Sequence, residues 1–349
     1  MDFLHPIVFS TTGTISLGKR VYSELEKRLP KKFLPKRGNI EGKMVIDKFS
    51  NENLQIAVQN IRDHFVVILH TQASPVNEGI MELFTLLDAV VRAKPAQILI
   101  VFPYMPYVRS DRKNQARISV MGHRLAKIIN SYGTNCGLPI KTLLLDPHDS
   151  HIKHYFEPDS EEITAMFLLA FGIKNNFNLE NTIIVFPDNG AAKKFEDVAH
   201  FLKLDVAYID KRRSDNKERP DIRKIVGEVK NKICIIIDDE ILTGGTVFLD
   251  ANALYKEGAK EVAVAAIHPI LMKNEKNNTF FVIQNIEDSA ITKVIVSNTV
   301  PIKKRLNEIG AKKFIIVDSS PLIAESIKRI ICSQSLSELY DSKKLKLYC

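Results

Sequence analysis

The chain lacks the features that mark several protein classes. Its 349 residues include four cysteines, Cys136, Cys234, Cys332 and Cys349, far apart and with no CxxC pair. Neither a zinc signature nor a disulfide framework is predicted, and reduced thiols are expected. No stretch approaches the roughly 18 uninterrupted apolar residues of a membrane span. The start, Met1-Asp2-Phe3-Leu4-His5-Pro6, has no basic segment leading into an apolar one. A cytoplasmic protein with no membrane partner is expected. No segment is of low complexity, which excludes collagen-like, mucin-like and wholly disordered chains. The net charge is +8, from 49 Lys+Arg against 41 Asp+Glu, but the basic residues are spread and locally balanced by acids. That distribution argues against nucleic acid and leaves an anionic small substrate as the class the charge admits.

With 45% hydrophobic residues, the length suits two domains, each able to bury a core. Short apolar, β-rich runs alternate with segments of helical spacing, the pattern of a parallel sheet covered by helices, so the fold class is α/β. The predicted strands are Phe65–Thr71, Ile98–Phe102, Thr142–Leu145, Thr182–Phe186, Val206–Ile209, Ile233–Ile237, Val262–Ile267, Lys293–Val296 and Phe314–Val317. Ile80, Phe84, Leu87 and Val91 make one predicted helix face, Leu125, Ile128, Ile129 and Tyr132 another, and a third helix follows Thr246 and ends at Gly258. A faint repeat pairs Val66–Leu69 with Ile183–Phe186, Arg109–Lys113 with Arg213–Lys217, and Leu143–Asp146 with Ile235–Asp238. Buried strands also resemble one another by chance, so duplication and coincidence both stand at this point. A boundary is expected in the acidic, Pro-containing stretch Glu157–Glu162.

The sharpest local signal runs from Cys234 to Thr246: a buried strand, the carboxylates Asp238 and Asp239, then Thr243-Gly244-Gly245-Thr246 opening a helix. Adjacent carboxylates at the carboxyl end of a parallel strand accept hydrogen bonds from vicinal sugar hydroxyls. Backbone N–H groups and hydroxyls at a helix N-terminus hold a phosphate, and glycine lets the main chain approach it. The plainer reading is a strand-to-helix turn with solvated acids.

Asp238 to Thr246 resembles the phosphoribosyl-binding loop of the type I phosphoribosyltransferase fold. Further segments narrow the resemblance: Phe49-Ser50-Asn51-Glu52, Phe102-Pro103-Tyr104 with Tyr107 to Lys113, Leu145 to Ser150, Pro187 to Lys193, Asp210 to Arg213, and Ser297 to Pro301. In this order and spacing, over about residues 7 to 340, the chain resembles the ribose-phosphate pyrophosphokinases (phosphoribosyl pyrophosphate synthetases). The resemblance implies two similar phosphoribosyltransferase-like domains, each a mainly parallel sheet flanked by helices: residues 1–160 on the ATP side and 161–349 on the ribose 5-phosphate side. The last helix is a candidate to pack back on the N-terminal half.

The resemblance implies transfer of the β,γ-diphosphate of ATP to the anomeric hydroxyl of ribose 5-phosphate, with Mg2+ and a homo-oligomer, dimer or larger, that shares its active site. It makes Lys211 and Arg213 the catalytic pair, carried on a polar loop, Lys211 to Pro220, read as mobile. Phe49, Asn51, Arg109, Asp111 and His148 become ATP-binding residues, with Phe49 and Asn51 contributed from a neighbouring subunit. His148 and Asp188 become metal contacts, where the plainer readings are a polar strand-end histidine and a helix-capping aspartate. Asp238, Asp239, Leu242, Thr243, Gly244, Gly245 and Thr246 bind ribose 5-phosphate, Leu242 through its backbone N–H.

Asn53, Ser110 and Asn114 depart from the commoner family pattern of glutamate, glutamine and aspartate, as does Leu242, where an aspartate is familiar. Asn189 and Ala191 leave one glycine where two are common. Two alternatives therefore accompany the synthetase: a catalytically weak homologue that regulates an active synthetase, and a phosphoribosyltransferase that consumes the product.

Overall fold

The computed structural model describes residues 4–36, 38–111, 113, 116–138, 140–212, 221–272 and 281–340. They divide into two compact units. The first holds residues 4–164 with 299–301 and 320–340, and the second holds 165–298 with 302–319.

The first unit runs β1 (Leu4–Ser10), α1 (Ile15–Arg28), β2 (Met44–Lys48), β3 (Leu54–Val58), β4 (His64–Leu69), α2 (Val76–Arg92), β5 (Gln97–Phe102), α3 (Met121–Thr134), β6 (Ile140–Leu145) and β7 (Glu161–Ile163). Its main sheet has the order β1-β4-β5-β6-β7 and is parallel throughout. Parallel strands are covered on both faces, which is why Val66–Leu69 and Ile98–Phe102 are unbroken apolar runs, all fully buried. The segment between α1 and β4 forms a separate antiparallel pair, β2–β3.

The second unit runs α4 (Met166–Asn176), β8 (Thr182–Phe186), α5 (Asn189–Leu202), β9 (Asp205–Arg212), β10 (Asp221–Val226), β11 (Ile233–Ile241), α6 (Gly245–Lys256), β12 (Glu261–Pro269), α7 (Phe281–Asp288), β13 (Val294–Ser297), α8 (Lys303–Ile309) and β14 (Phe314–Val317). The sheet order is β10-β9-β8-β11-β12-β13-β14, parallel except for β10 against β9. Its core is aliphatic, with Val185, Ile236, Val264 and Val296 from four successive sheet positions. The last helix, α9 (Ser320–Ile331), returns to the first unit, where it packs on α1.

The element order shows the repeat, in different register from the sequence pairing. Strands β1-β4-β5-β6-β7 and β8-β11-β12-β13-β14 share one spatial order, and β1 and β8 are each followed by a helix and an antiparallel pair before the next central strand. Hence β8 answers to β1 and β11 to β4, whereas the sequence paired β8 with β4 and β11 with β6. Strands buried on both faces are interchangeable strings of Ile, Leu and Val, so local similarity cannot choose among them.

All nine predicted strands are present, most with ends shifted by one to four residues; the sequence omitted β1, β2, β3, β7 and β10. The buried face of α2 is Ile80, Leu83, Leu86, Leu87 and Val90, so Phe84 and Val91 are only half-buried. Phe84 instead meets Tyr132 of α3, with ring centroids 6.0 Å apart.

Candidate active site

In the second unit, β8 leads through α5 to β9 on one side, while its other neighbour is β11. This is a topological switch point, where the loops beyond two adjacent parallel strands diverge and leave a crevice. Ile236 pairs with Val185, so Asp238 and Asp239, in the part of β11 that runs on past the end of β8, lie close to where Asp188 follows β8.

Asp188 caps α5, its Oδ1 accepting the N–H of Ala191 at 2.9 Å. The capping role is thus observed, and it engages one carboxylate oxygen. Burial, then the neighbouring Asp239 carboxylate, holds Asp238 well above the usual carboxylate range. The Asp188 charge adds to that rise, and the Asp239 N–H, donating to Asp238 Oδ1 at 2.8 Å, partly offsets it. Three carboxylates so placed attract a cation or hydroxyl donors. Among the described residues no three His, Cys, Asp or Glu side chains close a metal shell by themselves.

Beyond β11 the chain turns into α6 through Leu242, Thr243 and Gly244. Gly244 has φ +76°, a left-handed conformation, and a Cβ there would lie 2.7 Å from the Phe248 ring. Gly244, the N-cap of α6, has no side chain to cap it; the Gly245 N–H reaches the Thr243 hydroxyl at 3.5 Å, and the first N–H groups of the helix, at Gly245, Thr246 and Val247, have no intrahelical acceptor. Thr243, Gly245 and Thr246 are exposed and Leu242 is half-buried. An uncapped, exposed helix start is suited to an anion.

Lys211 lies in β9, its backbone paired with Ile222 of β10, and Arg212 pairs with Asp221. The segment read as a loop from Lys211 therefore begins as strand. Arg213, like Asn114, lies outside the described residues. Asp188 and Asp210 line one cleft of about 340 Å³ together with Asn189 and Tyr208.

The remaining candidates lie in the first unit. His148 is exposed just beyond β6, after Asp146, whose N–H donates to Ile163 at 2.9 Å. Asp149 caps the 3-10 turn Ser150–Tyr155, accepting the His151 N–H at 2.9 Å. Tyr155 of that turn donates its hydroxyl to the Asp111 carbonyl at 2.7 Å, which ties the Arg109–Asp111 loop to the His148 segment. Arg109 is exposed and Asp111 half-buried. The Ser110 hydroxyl donates to the Ser119 carbonyl at 3.1 Å and accepts the Met121 N–H at 3.2 Å, bracing the entry to α3.

Phe49 and Asn51 form the tip of the β2–β3 hairpin. Phe49 is 52% exposed, so it is not the core residue that a lone phenylalanine usually is. Asn51 Oδ1 accepts the Asn53 N–H at 3.2 Å, and Phe49 N–H donates to the Asn53 carbonyl at 2.9 Å. The turn thereby holds a phenyl ring and a side-chain amide out to solvent.

One supporting element carried no sequence signal. Leu271 and Met272, just past β12, donate their N–H groups to the carbonyls of Ile241 and Leu242 at 2.9 and 3.0 Å. These bonds brace the start of the turn from β11 into α6.

Residues 7–133 match the family described as the N-terminal domain of ribose phosphate pyrophosphokinase, and residues 212–341 match the phosphoribosyl synthetase-associated domain. The chain is 32% identical over 307 residues to ribose-phosphate pyrophosphokinase 2 of Enterococcus faecalis, covering 86% of this chain and 89% of that one. It is 34% identical over 303 residues to the ribose-phosphate pyrophosphokinase of Bacillus caldolyticus, covering 86% and 90%. The crystal structure of phosphoribosylpyrophosphate synthetase from Mycobacterium smegmatis superposes with a TM-score of 0.79 at 25% identity, over 94% of this chain and 99% of that one. Two family matches on the two halves, and similarity along nearly the full length of both curated relatives, make the chain a member of the ribose-phosphate pyrophosphokinase family.

Proposed function

We propose that the chain transfers the β,γ-diphosphate of ATP to the anomeric hydroxyl of ribose 5-phosphate, forming phosphoribosyl pyrophosphate and AMP. The observation that carries this reading is the pairing of Asp238 and Asp239 with the exposed start of α6, whose N-cap Gly244 carries no side chain, at the switch point beside Asp188. Asp238 and Asp239 accept hydrogen bonds from the vicinal ribose hydroxyls, and the N–H groups of residues 242–246 and the Thr243 and Thr246 hydroxyls hold the 5-phosphate. The sugar is thereby fixed with its anomeric oxygen free to attack the β phosphorus. The bond from that phosphorus to the α,β-bridging oxygen breaks, AMP leaves, and the hydroxyl proton passes to solvent.

No covalent enzyme intermediate is needed, so catalysis is positioning and neutralisation of charge. Lys211 and Arg213 neutralise the migrating diphosphate. Arg109, Asp111 and His148 bind ATP, and Phe49 and Asn51, from a neighbouring subunit of a homo-oligomer, stack on and read the adenine. His148 in the first unit and Asp188 in the second are each assigned as Mg2+ contacts, and the ion would supply further neutralisation of the polyphosphate. The first unit thus serves ATP and the second ribose 5-phosphate, in a cytoplasmic enzyme; no helix among the described residues is long and apolar enough to cross a membrane.

Phosphorus NMR of the purified protein with ATP, ribose 5-phosphate and Mg2+ tests the reaction. Equal amounts of AMP and of a diphosphate on the anomeric carbon are expected. Binding of ribose 5-phosphate without turnover would favour the regulatory homologue. Release of pyrophosphate from phosphoribosyl pyrophosphate and a base would favour the phosphoribosyltransferase.

A further inference from the structure

The loop assigned to the ribose phosphate presents Thr243, Gly245 and Thr246 to solvent, and its own side chains brace it only through the 3.5 Å contact of the Thr243 hydroxyl with the Gly245 N–H. Its first residues are held from outside, by the Leu271 and Met272 N–H groups on the Ile241 and Leu242 carbonyls. Those two residues extend the β11–β12 pairing past its last regular pair, Ile241 with Pro269. To do so the chain curls at Leu271, which has φ +46° although it is a fully buried leucine. A left-handed leucine is strained by about 1–2 kcal/mol and persists only where its surroundings hold it.

What holds it is Arg305 of α8. A single guanidinium nitrogen, Nη1, donates to the Ile270 and Leu271 carbonyls, both at 2.9 Å. Two successive carbonyls converge on one donor because the left-handed turn brings them to the same side. Arg305 is half-buried on this turn, and burial pulls its guanidinium down to about 10, leaving it charged at neutral pH. Charge-assisted bonds of this kind are stronger than neutral ones.

We infer that Arg305 is a positioning residue for the ribose phosphate loop, acting through Leu271 and Met272 to fix the Ile241–Leu242 backbone from which the phosphate-binding N–H groups project. It rests on the assignment of residues 242–246 to the 5-phosphate. Arg305 touches no reacting atom. Its effect is on the preorganisation of an anion cradle, where a shift of a few tenths of an ångström weakens several N–H contacts together.

The test compares Arg305→Met and Arg305→Lys with the wild-type enzyme. Lysine keeps the charge but lacks the planar, preorganised donor group. The KM for ribose 5-phosphate should rise about 10-fold in Arg305→Met and about 3-fold in Arg305→Lys, with kcat within about twofold and the KM for ATP unchanged, the signature of lost uniform binding of one substrate. Amide hydrogen exchange should quicken at residues 241–246 in both variants, with the β11–β12 ladder still protected. An unchanged KM for ribose 5-phosphate, or equal losses for both substrates alongside a lower Tm in Arg305→Lys, would overturn the inference. Calorimetric titration of ribose 5-phosphate into the wild type separates the other failure: with no binding there, the loop assignment falls and takes this inference with it.

Discussion

Asp188 follows β8 and Asp238 lies in the neighbouring parallel strand β11, at the point where the sheet order reverses, and the charge of Asp188 is one of those that push Asp238 up. Grouped carboxylates oppose folding of the free protein and suit a site that receives a cation and sugar hydroxyls.

Asp238→Asn is therefore expected to stabilise the free protein while removing its affinity for ribose 5-phosphate. The unfolded carboxylate titrates near its ordinary value of about 4, while the folded one titrates higher. Asp238 thus favours folding most below the unfolded value, and that contribution is lost as pH rises toward the folded one. Without divalent cations, wild-type Tm should fall across this range more steeply than that of the variant. At pH 8 the variant should melt a few degrees higher, about 3 °C per kcal/mol for a unit of this size. Scanning calorimetry against pH checks this, and equal slopes would refute the electrostatic account.

Gly244→Ala should damage binding of ribose 5-phosphate out of proportion to stability. The added methyl meets the Phe248 ring, and the left-handed φ costs about 1–2 kcal/mol. The turn relieves both by moving, which displaces the N–H groups that start α6. A KM for ribose 5-phosphate raised about tenfold or more, with the KM for ATP unaltered, is expected from steady-state kinetics. A normal KM would place the phosphate elsewhere.

Legibility in the sequence followed locality. Asp238 to Thr246 is a contiguous strand end, turn and helix start, so its chemistry was readable from residue order alone, and the structure has those three pieces in that order, β11 to Ile241 and α6 from Gly245. Phe49, Asn51, Arg109, Asp111 and His148 were reached only through the family resemblance, because they come from separate elements and none carries a local signature. Arg305 lay beyond both routes: it reaches the loop through two carbonyls more than 30 residues away in the chain. The strand of Lys211 was missed for a similar reason. A polar segment with no apolar alternation reads as loop, and only pairing with β10 makes it strand.

In the first unit, His70 stands at the place that Asp238 takes in the second, one residue past β4 as Asp238 follows the buried run of β11. It is buried, its Nδ1 lies 3.0 Å from the Thr11 hydroxyl, and its Nε2 has no hydrogen-bond partner. Burial lowers it to about 4, so it is neutral in the folded protein at physiological pH. Its contribution to stability is complete above the unfolded value of about 6.5 and is lost as pH falls toward 4, reaching about 3 kcal/mol. Urea unfolding of His70→Gln should show a shallower decline between pH 6.5 and 4 than the wild type. Parallel curves would mean that another group governs acid lability.

Lys211 supplies the sharpest test of the diphosphate transfer. If its ammonium meets the diphosphate mainly as charge shifts from donor to acceptor, its contact is stronger in the transition state than in the ground state, and its loss falls on kcat. Lys211→Ala should lower kcat by about 100-fold or more, with the KM for ribose 5-phosphate changed by less than about threefold. Lys211→Arg should recover part of the rate, since it restores the charge at a different reach. Because Lys211 begins at a strand end paired with Ile222, its backbone is anchored, and the substitution should leave Tm within about 1 °C of the wild type. A kcat equal to wild type would remove Lys211 from the reaction and leave the charge of the migrating diphosphate to Arg213 and the residues assigned to ATP.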